Sequence, residues 1–152
     1  MTGRHRLCLA VLLCSAPFVS PYALERPESS SAAQNYLLFC GGCHGVDGGG
    51  APRKVPPLRG AMGRLLGVEG GRDYLMRVPG VSRSALSDAR LAEVLNWCVA
   101  AFAKDNAPAG VMPFTAAELA AARHRPLLSV QSTRAALLSR TDADPAAAKD
   151  EY

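Results

Sequence analysis

Aromatic residues are scarce in this chain, at 6% of its 152 residues, and there is a single tryptophan. A core with so few rings must be filled by aliphatic side chains or by a group that is not a side chain. Strand-like alternation of apolar and polar residues is missing throughout, which argues against a β-sandwich or barrel, and no internal repeat is present. No apolar run reaches the roughly 20 residues of a comfortable membrane span. Charge of one sign is missing as well: 17 basic residues stand against 13 acidic ones. Such a small excess lacks the concentrated basic face that nucleic-acid binding needs. No paired carboxylates and no nucleophile beside a base stand out, so the hydrolytic chemistries have no footing here.

The first residues read as a targeting segment. Arg4, His5 and Arg6 precede an almost wholly apolar stretch from Leu7 to Val19, the length of a secretory signal's apolar part and too short to span a bilayer. Ala23 and Ala16 are the candidate cleavage residues. Lipid anchoring on Cys14 is disfavoured, because Leu13 stands where a small residue is needed. Loss of residues 1–23 removes Arg4 and Arg6 and no acid, so the formal charge of +4 falls by two. The mature protein is expected outside the cytoplasm, in the periplasm or otherwise exported, without an integral membrane span.

Five cysteines are present, and Cys8 and Cys14 leave with the signal. Cys40, Cys43 and Cys98 remain, an odd number that suits an exported disulfide framework poorly and suits a pair committed to another use.

Helical signals organise the rest. Ala32 to Cys43 reads as a first helix with the cysteine pair at its end. Gly45 to Gly71, rich in Gly, Pro and Arg, reads as loop with a helical turn near Met62 to Leu66. Arg72 to Val78 forms a short helix, stopped by Pro79 and Gly80. The clearest helix follows Ser87, an N-cap, with Asp88 in the first turn and an apolar stripe of Leu91, Val94, Leu95, Cys98, Val99 and Phe102. Thr115 to His124 and Val130 to Leu138 are further helices, and Asp142 to Glu151 forms an acidic tail.

Cys40-Gly41-Gly42-Cys43-His44 is the C-x-x-C-H pattern of covalent c-type haem attachment. Two thiols at that spacing can add across the two vinyl groups of one porphyrin, which leaves the next imidazole under the iron as a strong-field ligand. A dithiol redox motif would want a βαβ setting that is missing, and a structural zinc site would have only Cys98 and His124 to complete it.

Around this motif the chain resembles the class I c-type cytochromes. That family places a proline, a leucine and a glycine twelve, fourteen and sixteen residues after the axial histidine, and Pro56, Leu58 and Gly60 stand there. The resemblance implies an all-α fold of helices and long ordered loops around one covalent haem c. It implies thioethers at Cys40 and Cys43, His44 as the proximal iron ligand, and the Pro56 carbonyl accepting a hydrogen bond from the imidazole. It also implies that Ala32 and Tyr36 of the first helix cross against Trp97 of the last, with Leu58 at the haem. The expected divisions are 1–23 signal, 24–31 linker, 32–104 cytochrome c domain and 105–152 C-terminal helical extension with the acidic tail.

One departure concerns the second iron ligand. The family usually supplies a methionine from a loop just ahead of the last helix, and Val81 to Leu86 contains none. Met76 and Met62 are the nearest candidates, followed by Met112 and then His124, although a methionine is also an ordinary core filler. The expected function is one-electron transfer between redox partners, without a substrate reaction of its own. The alternative is an open iron position serving a sensor or a peroxidase-like enzyme. Arg53, Lys54, Arg59, Arg64, Arg72, Arg77, Arg83 and Arg90 face three acids in the same segment, so a partner with an acidic docking face is expected.

Overall fold

The computed structural model describes residues 31–141. The signal segment, the linker up to residue 30 and the acidic tail from residue 142 lie outside the described residues. Eight helices are found among them: α1 (Ala32–Phe39), α2 (Gly41–His44), α3 (Ala61–Leu66), α4 (Gly71–Arg77), α5 (Pro79–Ser82), α6 (Asp88–Phe102), α7 (Ala116–Ala122) and α8 (Val130–Thr141). The described residues form no strand beyond an isolated bridge between Ala51 and Val55. The all-α expectation therefore holds.

Local chemistry explains most helix ends. Ser31 caps α1 in a reciprocal box with Gln34, and Thr115 caps α7 in the same way with Glu118, each satisfying backbone N–H groups that a helix start leaves unpaired. Ser87 caps α6 by accepting from the Arg90 amide. The expected first helix is in fact two. It breaks at Cys40, whose φ of −125° is not helical, where the chain meets Gly41 and Gly42, the weakest helix formers short of proline. Pro79 likewise does more than end α4. It occupies the first position of α5 behind an extended Val78, the place where its fixed φ and missing N–H are tolerated.

The apolar stripe of α6 forms the centre of the core, with Leu91, Val94, Leu95 and Cys98 all buried. Each such side chain contributes roughly 1.5–3 kcal/mol by leaving water. Across α6 lies α1, where Tyr36 is wholly buried and packs 5.0 Å from the Trp97 ring and 5.3 Å from Phe102. Trp97 and Phe102 meet edge to face, the arrangement their quadrupoles favour. The expected helix crossing is thus present, with Phe102 as an unforeseen third ring.

The C-terminal extension folds back onto this core, α7 against α6 and α4, and α8 against α3 and α4. Arginines fasten it. Arg72 of α4 pairs with Glu118 through two 3.0 Å bonds, donates to the carbonyls of Met112 and Pro113, and lies 4.1 Å above the Phe114 ring. Arg123 returns to Asp88 and to the carbonyls of Leu86 and Ser84. Asn96 clasps the Phe114 backbone in both directions, accepting at 2.7 Å and donating at 3.0 Å.

These contacts revise the reading of the basic cluster. Arg59, Arg72, Arg77 and Arg90 are ion-paired with Asp47, Glu118, Asp73 and Glu93, so half of the eight cations serve the fold. Among the described residues Arg53, Lys54 and Arg83 enter no ion pair.

The Arg72 guanidinium, with help from Thr115, holds the Glu118 carboxyl at about 2, well below its ordinary value. A depressed carboxyl stabilises the fold above its unfolded pKa and loses that contribution as pH falls through the folded one. The docking of α7 should therefore weaken between about pH 4.5 and about pH 2, by a modest amount because the pair is partly exposed. Thermal melts across that window should show a steeper fall for the wild type than for Glu118→Gln. Equal slopes would mean that the pair does not hold the extension.

Candidate functional site

The break at Cys40 sets the cysteine pair and His44 on a separate turn. Its amides fold tightly back: the His44 N–H donates to the Cys40 carbonyl at 2.9 Å and the Gly45 N–H to Gly41 at 2.9 Å. Tyr36 reaches across from α1, its hydroxyl donating to the Gly45 carbonyl at 2.6 Å. Burial pushes that phenol up to about 12, so it stays a donor.

Beyond Gly45 the loop returns on itself. The Gly50 N–H donates to the His44 carbonyl at 2.8 Å, Ala51 pairs with Val55, and the Leu58 N–H donates to the Gly48 carbonyl at 2.8 Å. Gly50 has φ +71°, and a Cβ there would strike the Val55 and Pro56 carbonyls. Only glycine lets the backbone pass so close with that dihedral.

The return places the Pro56 carbonyl 3.2 Å from His44 Nδ1. With Nδ1–H donating to that oxygen, the proton is fixed on Nδ1 and the Nε2 lone pair is left for a metal. Burial lowers the His44 pKa, while the Pro56 bond acts in the opposite sense. The net effect favours the neutral imidazole, the form that ligates.

Cys40, Cys43 and His44 border a cavity of about 400 Å³. Its walls are mainly aliphatic, with Leu58, Leu65, Leu75, Val94 and Leu95 among them, and Lys54, Tyr74 and Arg134 add polar groups. An apolar planar group attached through both thiols and held by His44 fits such a lining. The sequence-derived residues Cys40, Cys43, His44, Pro56 and Leu58 all meet here.

The second-ligand candidates separate. Met62 is 2% exposed and lines the cavity. Met76 is buried in the surrounding core but is not part of the cavity lining, Met112 is 73% exposed, and His124 lies on the surface. Cys98 is buried and lines the cavity close to Cys40, and burial raises its thiol pKa strongly, which leaves it an inert, neutral filler. Several lining groups were missed from the sequence. Tyr74 carries no motif, and Val130 and Arg134 arrive from α8, far beyond His44 in the chain.

Comparison with known proteins agrees with this arrangement. Residues 30–97 match the family model described as cytochrome c. Two proteins of Thermus thermophilus, each named cytochrome c-552, are 34% identical to this chain. Each alignment runs over 110 residues, covering 60% of this chain and 84% or 74% of the relative. The alignments are longer than the part of this chain they occupy, so both relatives contain residues with no counterpart here.

The Tyr36 hydroxyl is the tie between α1 and the turn after His44. Tyr36→Phe should cost about 1 kcal/mol, the net worth of one hydrogen bond with its acceptor left behind. A urea-unfolding midpoint indistinguishable from wild type would show that the ring packing alone fixes this turn.

Proposed function

Because the chain belongs to the cytochrome c family, we propose that it is an exported one-electron carrier whose single covalent haem c sits on Cys40 and Cys43. Members of this family hold haem c covalently through cysteines, and that cofactor belongs to this chain too. When bound, the haem supplies one iron that alternates between the ferrous and ferric states.

The polypeptide does the rest. His44 presents Nε2 as the proximal ligand, and the Pro56 carbonyl orients the ring and raises its basicity. Leu58 and the aliphatic lining keep water from the site, which limits the reorganisation accompanying a change of charge. The single observation that carries this reading is the 3.2 Å contact between His44 Nδ1 and the Pro56 carbonyl at the mouth of a cavity bordered by both thiols. Export is supported by the apolar segment from Leu7 to Val19. No described helix is long and apolar enough to cross a membrane.

The partner is a redox protein with an acidic face. With Arg59, Arg72, Arg77 and Arg90 committed to internal pairs, the cations left for docking are Arg53 and Lys54 on the turn beside Pro56, together with Arg83. Lys54 itself lines the cavity, which supports a positive docking face beside the haem.

Cys40→Ala or Cys43→Ala should leave at most one thioether and sharply lower the yield of coloured protein, read from the alkaline pyridine spectrum of cell fractions. His44→Ala should abolish the low-spin spectrum. A stable colourless double mutant at wild-type yield would contradict the cofactor's structural role. For the partner, complementary charge speeds encounter. Oxidation by the native partner should therefore slow as the Debye length shrinks from about 10 Å at 0.1 M salt to about 3 Å at 1 M. Stopped-flow rates that stay flat across this range would sink the acidic-face proposal.

A further inference from the structure

We infer that the C-terminal extension completes the cofactor site: Arg134 of α8, together with the Tyr74 hydroxyl of α4, receives the carboxylates of the haem propionates. The inference rests on haem attachment at Cys40 and Cys43, and it gives a cofactor contact to a helix that lies beyond the residues matched by the family model.

The first reason is the charge of the lining. Setting aside His44, its charged side chains are Lys54 and Arg134, and no carboxylate stands among the described residues that border the cavity. A guest that is apolar over its faces and anionic at its margin matches such a lining. Haem c is a guest of that kind, because the thiols take its vinyl groups and leave its propionates free.

The second reason is that this arginine and this phenol are uncommitted. Arg123, Arg125 and Arg140, on or beside the helices of the same extension, each hydrogen-bond to a carboxylate or a carbonyl. The half-buried Arg134 side chain enters no hydrogen bond or ion pair among the described residues, and neither does the hydroxyl of Tyr74, which is 5% exposed. The two stand close enough for the guanidinium to oppose the rise that burial gives the Tyr74 pKa. The phenol therefore keeps its proton, and beside a guanidinium it makes a set of donors suited to a carboxylate. A partly desolvated cation without a counter-ion is costly, and a carboxylate brought against it relieves that cost. Lys54, by contrast, is exposed and keeps its hydration.

The third reason is how α8 is set. Val130, one turn before Arg134, lines the cavity with it, and the buried Leu137 continues that face. Arg140 ties the end of the helix to the Glu69 carbonyl at 2.7 Å. The thiols and the cation come from different elements, since α2 packs on α1 whereas α4 and α8 pack on each other.

The test uses the holoprotein, its haem content fixed beforehand by the alkaline pyridine spectrum. Arg134→Gln and Tyr74→Phe should each shift the propionate bending band of the resonance Raman spectrum. Arg134→Gln should also raise the ferric-to-ferrous ratio at a fixed electrode potential severalfold, because the carboxylate charge is no longer offset, and Arg134→Lys should restore most of that ratio. A lower urea midpoint with band and ratio both unchanged would make Arg134 a structural residue only, which overturns the inference and leaves the electron-carrier reading standing. Melting of the wild type that rises with added phosphate, with the band unmoved in both variants, overturns it in favour of an anion from solution. A colourless protein overturns the haem reading as well.

Discussion

Everything at the site depends on one closure, the return of the loop after His44 that puts the Pro56 carbonyl against the imidazole. That contact is a long-range product of short-range rules. Two amide bonds, Gly50 to His44 and Leu58 to Gly48, bend the chain, and the left-handed φ of Gly50 lets it pass through a space where no side chain fits. The imidazole then has a defined tautomer before any metal arrives. The aromatic contact of Tyr36 with Trp97 and Phe102 carries this geometry into the core, because Tyr36 bonds the residue next to His44 through its hydroxyl while its ring rests on α6.

The legible part of the molecule was the part governed by local pattern. The α6 helix could be read in full, since Ser87 caps it and its apolar residues recur every three or four positions. The contact of Pro56 with His44 was expected from the family resemblance, twelve residues along the chain, and the structure has it at 3.2 Å. The break at Cys40 was less legible. A run of apolar residues continues through it, and the competing low helix propensity of Gly41 and Gly42 decided the outcome.

What could not be read was contact between distant segments. Nothing near Arg72 marks it as a clamp on Glu118, and counting it as surface charge overstated the free basic face. Val130 and Arg134 reach the cavity only because α8 folds against α3 and α4, a placement without local signature. The same limit applied to the methionines. Spacing alone ranked Met76 and Met62 together, and packing separated them.

The fastening of the extension has an evolutionary corollary. Arg72, Arg77, Arg123 and Arg140 direct much of their hydrogen bonding to main-chain carbonyls, those of Met112, Pro113, Arg125, Ser84, Leu86 and Glu69 among them. A carbonyl is present whatever the side chain, so the recipient positions are free to drift so long as the backbone keeps its path. The guanidinium forks are not: a lysine offers a single point of charge where the planar group meets several oxygens at once. Selection should therefore be written in these arginines, two in α4 and two in the extension, and in the length of the segments between them, and only faintly in the residues they hold.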